Sequence, residues 1–388
     1  MKEKENGTCS LKDKLNFVKQ FSISEGTKIL RLRRIGGTTM ILLQFDWWMF
    51  FEKLILIAAI ITLSMIVAMY STYAERKIAA FFQDRVGPNR AGPFGLLQPM
   101  ADGLKLFMKE EIIPLTSSRF LFILGPMLAM ITALLTSAVI PWGSTIDVAG
   151  HRVPLQIADI NIGILYIFGV VSLGVYGIMI GGWASNNKFS LLAAIRGASQ
   201  MISYELAMGL ALIAVLMISG SLRMSVIVDQ QMHHGWNVFY QPIGFLIFFV
   251  CALAECNRTP FDLPEAENEL NFGYHQEYSS MKLGFYLFAE YINMFISGVV
   301  MATLFWGGYD IPFVNEAALG DHWWVGALGF VSLMVKAVIF IFIFMWIRWT
   351  IPRFRYDQLM NLGWKGLLPI SLVNMVITAL VVLLMNRH

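Results

Sequence analysis

The chain has 388 residues, of which 57% are hydrophobic and only 14% are charged, and its formal net charge is +3. Soluble domains usually carry about 25% charged residues, so this composition excludes an ordinary soluble protein. The three cysteines include no Cys-x-x-Cys pair. The sequence therefore supports neither a zinc site nor an iron–sulfur cluster in this chain.

Eight apolar stretches are long enough to cross a hydrocarbon core that is about 30 Å thick. They are continuously apolar, whereas the strands of a membrane barrel alternate between apolar and polar residues, so helices are favoured. The fifth stretch is short and ends in Glu255. We therefore predict an all-α polytopic membrane protein with about eight transmembrane helices, near residues 54–74, 120–140, 162–184, 200–219, 240–256, 283–306, 325–347 and 367–386.

The first long loop, residues 75–119, combines turns with an amphipathic segment. Three glycines and three prolines in residues 86–99 exclude a regular helix there and favour a series of turns. Residues 100–111 are typical of a helix with one apolar face. Such a helix suits either the membrane interface or the surface of a partner.

The second long loop, residues 257–282, is acidic. Asp262 lies three residues before Glu265, with a proline between them, and this spacing predicts the first turn of a helix. A capping function accounts for Asp262. It leaves Glu267 and Glu269 without a structural explanation.

Basic residues are concentrated in the loops after the odd-numbered spans, which hold 15 Lys or Arg against three in the even-numbered loops and the C-terminus. The positive-inside rule therefore predicts that both long loops are cytoplasmic. Ten Lys or Arg in residues 1–53 oppose this orientation, and one hypothesis is that translation starts at Met40. We expect residues 1–50 to be an N-terminal extension of unknown role and residues 51–388 to be a single membrane domain.

Ionisable side chains occur within the predicted spans. Glu205 lies in the fourth span, Glu255 ends the fifth, Glu290 lies in the sixth and Lys336 in the seventh. An ionised group at mid-bilayer costs roughly 2.5–3.5 kcal/mol, so such residues usually face a cavity or a partner. One interpretation is a structural pair of Glu205 with Lys336. A proton relay is favoured, because desolvation raises a carboxyl pKa toward the working pH.

The sixth span carries a polar stripe, since Tyr286, Glu290, Asn293 and Ser297 follow one another at steps of four, three and four residues. This spacing puts them on one helix face, which is expected to point to water, a polar ligand or another polar helix. The pattern alone indicates a membrane protein that moves ions or protons while its long loops engage a partner.

Three long motifs resemble one membrane subunit of bacterial respiratory complex I, the one whose mitochondrial counterpart is called subunit 1. The first motif runs from Glu75 to Lys105, the second from Glu255 to Ser279 and the third from Pro352 to Lys365. The resemblance covers about residues 50 to 388. The sequence departs from the family pattern at two places. Asn271 stands before Phe272 where valine is expected, and Gln276 stands where threonine is common. Neither difference alters the charge.

The resemblance implies a fold of eight transmembrane helices at the junction between an electron-transferring peripheral arm and a proton-pumping membrane arm. It also implies that quinone enters a chamber formed largely by this subunit, and that quinone reduction is coupled to proton movement through its carboxylates. By motif position, the residues of the quinone chamber and acidic loop are Arg76, Asp102, Lys105, Arg258, Phe261, Asp262, Glu265, Glu267 and Glu269. The residues of the proton path are Glu205, Glu255 and Glu290.

The resemblance further implies a substrate, partners and a location. The substrate is a quinone, either ubiquinone or menaquinone, and no metal or iron–sulfur cluster is expected in this chain. The expected partners are the peripheral subunit that carries the terminal iron–sulfur cluster, small neighbouring membrane subunits and the lipid bilayer, but not nucleic acid. We expect a multi-pass protein of the bacterial inner membrane rather than of the mitochondrial inner membrane.

Two other classes of protein remain as alternatives. One is the related subunit of a membrane-bound hydrogenase or of a ferredoxin-dependent complex. The close match of the first loop counts against this alternative. The other is a stand-alone ion or solute transporter. A transporter predicts inverted repeats, which we do not find in the sequence, and gives the long loops no task.

Overall fold

The computed structural model describes residues 33–35, 38–40, 47–148, 151–312 and 323–385. The chain divides into two units, residues 1–53 and residues 54–388. The smaller unit contains an antiparallel pair of short strands, β1 (Arg33–Ile35) and β2 (Thr38–Met40). Most of the expected N-terminal extension lies outside the described part of the chain.

Helices make up almost all of the remaining structure. The two strands β3 (Thr145–Val148) and β4 (His151–Pro154) form a second antiparallel pair, and a π-helical turn, Leu362–Leu367, joins the last two helices. The helices are α1 (Trp47–Phe82), α2 (Gln98–Met108), α3 (Arg119–Thr136), α4 (Gly163–Ala184), α5 (Lys188–Ser219), α6 (Met224–His234), α7 (Asn237–Tyr240), α8 (Pro242–Glu255), α9 (Glu267–Leu270), α10 (Ser280–Phe305), α11 (Trp323–Thr350), α12 (Tyr356–Asn361) and α13 (Leu368–Met385).

Seven of the described helical segments are long and apolar enough to cross a membrane: α1, α3, α4, α5, α10, α11 and the continuous segment from α12 to α13. The prediction of an all-α polytopic membrane protein is therefore confirmed. The fifth predicted span corresponds to α8, which has only 14 residues. At 1.5 Å per residue α8 is about 21 Å long, less than the thickness of a hydrocarbon core of about 30 Å.

The two long loops meet at one end of the helical bundle, which we call the loop end. The backbone N–H of Ile112 in the first loop donates to Oγ of Ser279 in the second, over 2.9 Å. Oγ of Ser280 donates to the carbonyl of Leu106, over 3.1 Å. Because α3, α4, α5 and α8 separate the two loops in the chain, an even number of crossings is needed to bring them together. The short helix α8 therefore counts as a crossing.

Polar contacts fix both ends of α8. At its start, the Gln241 amide donates to Oγ1 of Thr378 over 2.7 Å and accepts from the Asn374 amide over 3.0 Å. At its end, Nε2 of Gln200 donates to the carbonyls of Ala254 and Phe261, over 2.8 and 2.7 Å. These bonds satisfy buried polar groups. They hold the polar residues after α8 inside the bundle, so that Glu255 and Arg258 are only 8% and 5% exposed.

The structure corrects the predicted helix start in the second loop. No helix begins at Asp262 or Glu265; α9 begins at Glu267 and has four residues. The physical reason is that Asp262 is engaged by Arg353, with Oδ2 and Nη2 2.7 Å apart, and so does not cap a helix. Glu265 therefore precedes α9 and does not lie in the first turn of a helix.

The first loop agrees with its prediction. Turns occupy much of residues 83–97, and the amphipathic segment forms α2. The apolar residues Met100, Leu104 and Phe107 of α2 are 51%, 63% and 68% exposed. The apolar face of α2 is therefore available to lipid or to a partner protein, as expected for such a helix.

Small residues allow α3, α4 and α10 to approach closely, as is common between membrane helices. The hydroxyl of Tyr286 in α10 donates to the carbonyl of Gly177 in α4, over 3.1 Å. A Cβ atom on Gly181 would overlap this hydroxyl. Tyr286 is 1% exposed, so its ring has little room to move away.

We predict that Gly181→Ala destabilises the bundle by about 1–3 kcal/mol, the usual cost of overpacking a core. Gly169→Ala is the matched control in α4, because nothing lies within 4 Å of a Cβ atom at Gly169. Thermal unfolding of the purified, assembled complex measures the effect. Equal unfolding midpoints for the two variants would contradict this account of the packing.

Candidate functional site

The first two sequence motifs meet in one buried cluster at the loop end of the bundle, together with residues of α10 and α11. The end of α1 contributes Glu75, the segment after α8 contributes Arg258, and α10 contributes Glu290 and Tyr291. The end of α11 contributes Arg348. Residues that are far apart in the sequence thus share one interior site.

Arg258 is the central cation of this cluster. Its Nη1 lies 3.6 Å from Oε2 of Glu75, and its Nη2 lies 3.9 Å from Oε2 of Glu290. The guanidinium stacks over the Tyr291 ring, 4.2 Å from the ring centre. Its Nε and Nη2 atoms have no hydrogen-bond partner among the described residues. Arg258 is therefore held between two carboxylates by charge and stacking rather than by tight hydrogen bonds.

The charges around Arg258 keep it ionised. Burial alone lowers the pKa of this guanidinium, but the neighbouring tyrosine and carboxyl groups raise it, so its pKa lies well above the ordinary value. A buried charge without a counter-ion would be very costly. The site therefore requires anions on both sides of Arg258.

Glu75 pairs with two arginines, Arg258 and Arg348. It was not among the site residues predicted from the sequence. Its Oε1 lies 2.6 Å from Nη1 of Arg348, and its Oε2 accepts a hydrogen bond from the Tyr291 hydroxyl over 2.8 Å. Glu75 is only 6% exposed. The sequence signal that could have identified this site is the opposite charge of Glu75 and Arg348 at the ends of two predicted spans that face the same side.

Glu265 and Glu290 form a carboxyl pair beside Arg258. The Tyr274 hydroxyl donates to Oε1 of Glu290, over 3.1 Å. Burial and the adjacent Glu290 raise the pKa of Glu265 well above its ordinary value. Two adjoining carboxyls in a buried site favour keeping one proton between them.

The third motif packs on the second loop. Arg353 pairs with Asp262, and the backbone N–H of Phe354 donates to the carbonyl of Pro260 over 3.1 Å. The rings of Phe354 and Phe261 lie 5.6 Å apart. Burial and the nearby Glu265 raise the pKa of Asp262 to about 7, although Arg353 lowers it. Asp262 can therefore change its charge near neutral pH.

A cavity of about 80 Å³ extends from this cluster into the bundle. It has room for several water molecules. The complete polar stripe of α10 lines it, together with the end of α8: Tyr286, Glu290, Asn293, Ser297, Glu255 and Asn257. The stripe therefore faces this cavity, the rest of whose wall is largely apolar.

Glu205 lies beyond the cavity, in α5. It accepts a hydrogen bond from Ser172 of α4 and lies close enough to Glu255 for the two carboxyls to interact. Lys336 occupies a different place, where it donates to the carbonyls of Trp306, Gly308 and Asp310. The proton-path candidates Glu290, Glu255 and Glu205 thus follow one another across the bundle.

Other predicted chamber residues lie on the surface rather than in the interior cluster. Arg76 pairs with Asp102, with Nη1 and Oδ2 2.7 Å apart, and their side chains are 50% and 35% exposed. Lys105 is exposed on α2, and Glu269 pairs with Arg196 over 2.8 Å.

The Glu267 side chain lies outside the described residues. Among the residues that the structure does describe, no group of three or more His, Cys, Asp or Glu could hold a metal ion.

Comparison with known proteins identifies the family. The family model described as NADH dehydrogenase matches residues 54–379. The first H-type subunit of the NADH-quinone oxidoreductase of Cytophaga hutchinsonii is 64% identical over 333 residues, which cover 86% of this chain and 97% of that protein. The H-type subunit of Flavobacterium johnsoniae is 61% identical over 345 residues, covering 87% and 96%.

NADH-quinone oxidoreductase subunit 8 of Rhodothermus marinus is 48% identical over 353 residues, which cover 89% of this chain and 99% of that protein. These matches favour the NADH-quinone oxidoreductases over the hydrogenase and ferredoxin-dependent alternative. The chain belongs to the NADH dehydrogenase family, as a multi-pass membrane subunit of the H type.

Proposed function

We propose that this chain forms the quinone chamber of a proton-translocating NADH:quinone oxidoreductase, at the junction with the peripheral arm, and couples quinone reduction to proton translocation. The observation that supports this most directly is the buried cluster in which Arg258 lies between Glu75 and Glu290. The substrate is ubiquinone or menaquinone. Its reduction to quinol takes up two electrons and two protons.

The charge balance of the cluster suits a response to this reaction. It contains four carboxyl groups and three guanidinium groups, so full ionisation would leave one negative charge in excess: Glu75, Asp262, Glu265, Glu290, Arg258, Arg348 and Arg353. Negative charge added nearby favours proton uptake by these carboxyls. At an effective dielectric of about 20, unit charges 4 Å apart interact by roughly 4 kcal/mol, enough to move a carboxyl pKa by about three units.

The cavity offers the route by which proton uptake in the cluster affects the carboxyl groups within the membrane-spanning helices. Glu290 belongs both to the charged cluster and to the cavity wall, and Glu255 lies in the same wall. Glu205 interacts with Glu255 and lies farther across the bundle. We propose that protons pass between these three carboxyls through hydrogen-bonded water.

The surface residues suit partner contacts. The Arg76–Asp102 pair, Lys105 and Glu269 lie on or beside exposed parts of the two long loops, where we propose that the peripheral subunit with the terminal iron–sulfur cluster binds. Small membrane subunits bind the flanks of the bundle within the bacterial inner membrane. Residues 51–388 act as a single membrane domain, and residues 1–50 are an extension outside it.

We predict that Arg258→Ala lowers NADH-driven quinone reduction by about tenfold or more, because small misplacements at a reaction site can cost about 100-fold. The loss of Arg258 also leaves Glu75 and Glu290 facing each other without the cation between them. The iron–sulfur clusters should still be reduced by NADH, as monitored by electron paramagnetic resonance. Glu267→Gln is expected to give the same pattern.

Arg355→Ala is a suitable control for this loss, because Arg355 is 78% exposed and pairs only loosely with Asp357, over 3.6 Å. Turnover at the parental level in both Arg258→Ala and Glu267→Gln would argue strongly against the role of the second loop.

Glu205→Gln tests the proton path. We expect fewer protons to be translocated per NADH oxidised, because the amide cannot accept and release a proton as the carboxyl does. The ratio is measured in inverted membrane vesicles from the fluorescence of a pH-sensitive dye. Ser172→Ala is the matched control, since it removes only the hydroxyl that donates to Glu205. Full pumping by Glu205→Gln would remove this residue from the path.

Arg353→Ala tests the titration of Asp262. Arg353 lowers the pKa of Asp262, which is about 7 in its presence, so its removal raises that pKa. Asp262 then becomes protonated at a higher pH, and the acid limb of the activity profile should move to higher pH. Arg353→Lys keeps the charge and should move the limb less. An acid limb at the same pH in Arg353→Ala and the parent enzyme would exclude this pair from the rate-controlling titration.

A further inference from the structure

Along α10, the cavity stops before the end of the bundle that lies opposite the loop end, which we call the far end. Its last lining residue on α10 is Val300, whereas on α3 and α4 it reaches Thr136 and Ile167, near the ends of those helices. Helix α10 continues for five residues beyond Val300, to Phe305. At 1.5 Å per residue, Phe305 lies about 22 Å along α10 from Glu290.

Aromatic side chains of α8, α10 and α11, and the tryptophan that follows α10, pack together beyond the cavity on the α10 side. We define the far-end plug as Phe245, Phe248, Phe305, Trp306 and Phe340. The ring of Phe305 lies 5.4 Å from that of Phe245 and 5.6 Å from that of Phe248. Trp306 and Phe340 lie 4.6 Å apart. Phe305 and Phe340 are fully buried, and these rings offer no group that can relay a proton.

The turn that follows α10 covers this plug and is held by Lys336. Nζ of Lys336 donates to the carbonyls of Trp306, Gly308 and Asp310, over 2.7, 2.8 and 2.6 Å. An ammonium group has three N–H donors, so each is matched by one carbonyl. The last carbonyls of a helix and the turn after it lack helical partners and carry partial negative charge. Lys336 satisfies these groups although it is only 5% exposed.

A second set of contacts ties the same turn to the short helices at the far end. Nε2 of Gln231 donates to the carbonyl of Thr303 over 2.9 Å, and its Oε1 accepts from the backbone N–H of Gly307 over 3.0 Å. The Trp236 indole N–H donates to Oδ2 of Asp310 over 2.9 Å. The closing turn is thus fixed from several directions.

We infer that the far-end plug is a proton barrier, and that Lys336 is a positioning residue that clamps the turn over it. The barrier keeps protons in the polar cavity from crossing to the far face through this chain. This inference rests on the proposed function only in assigning protons to the cavity. A complex that stores energy as a proton gradient needs such insulation, because a continuous hydrated path from end to end would dissipate the gradient.

The test is passive proton leak in proteoliposomes that contain the assembled complex, measured after a pH jump without NADH. A pH-sensitive dye trapped in the lumen reports the rate. Phe305→Ala opens the plug, and we expect a several-fold faster leak than in the parent complex. Lys336→Met removes the clamp at similar side-chain length, and we expect a smaller increase. Lys336→Arg should leak protons at a rate close to that of the parent complex. Lys365→Met is the control, because Lys365 is exposed in the π-helical turn.

A double variant tests whether the leak uses the cavity. Glu255 lines the cavity, so Glu255→Gln should slow the leak that Phe305→Ala causes. NADH-driven quinone reduction, with uncoupler present, should stay near the parental rate in Lys336→Met, which a merely misfolded variant would not show. Native gel electrophoresis verifies assembly, and Phe305→Ala carries the test if Lys336→Met fails to assemble.

Parental leak rates in assembled Phe305→Ala and Lys336→Met complexes would overturn the barrier. A fast leak that Glu255→Gln leaves unchanged would also overturn it, because the protons would then bypass the cavity. The leak is measured without turnover, so its result is separate from that of Glu205→Gln. Normal pumping in Glu205→Gln together with a leaky Phe305→Ala complex would refute the proposed path and leave the barrier standing.

Discussion

A buried guanidinium constrains the whole arrangement. Arg258 is 5% exposed, and a charge in that position is tolerated only if carboxylates surround it. Glu75 and Glu290 supply them from α1 and α10. Arg258 follows directly after the short helix α8, whose 14 residues end at Glu255. The length of one helix and the neutralisation of one charge together bring the long loops and the end of α11 into contact.

Adjacent residues of α1 lie in the interior of the site and on its surface. Glu75 and Arg76 are neighbours in the chain, yet Glu75 is buried between two arginines and Arg76 is half-exposed beside Asp102. Successive residues of a helix point about 100° apart, so one turn of α1 supplies both the buried cluster and the exposed ion pair with the first loop.

Sequence reasoning predicted the spans and the polar stripe of α10, because both depend on local periodicity and composition. It predicted a helix at Asp262 from a local capping signal, and there a tertiary contact with Arg353 prevailed. It missed Glu75 and Arg348 as site residues, since their opposite charges at span ends on the same side make the pair possible but do not show that the two helices are neighbours. The residues of the cluster were thus recognisable by type and motif, whereas their pairing depends on how the helices pack.

The charged residues of the cavity wall, Glu255 and Glu290, lie toward its loop end. The charged cluster lies at the loop end, while Phe305 and its aromatic neighbours close the far end. On the proposed path, a proton at Glu255 passes either back toward the loops or sideways toward Glu205, whose charge acts on Glu255. Glu205 lies between Ile202 and Leu206, which are 52% and 49% exposed on the flank of the bundle. A carboxylate facing hydrocarbon costs roughly 2.5–3.5 kcal/mol, and the Ser172 hydroxyl offsets part of this cost by donating to Glu205.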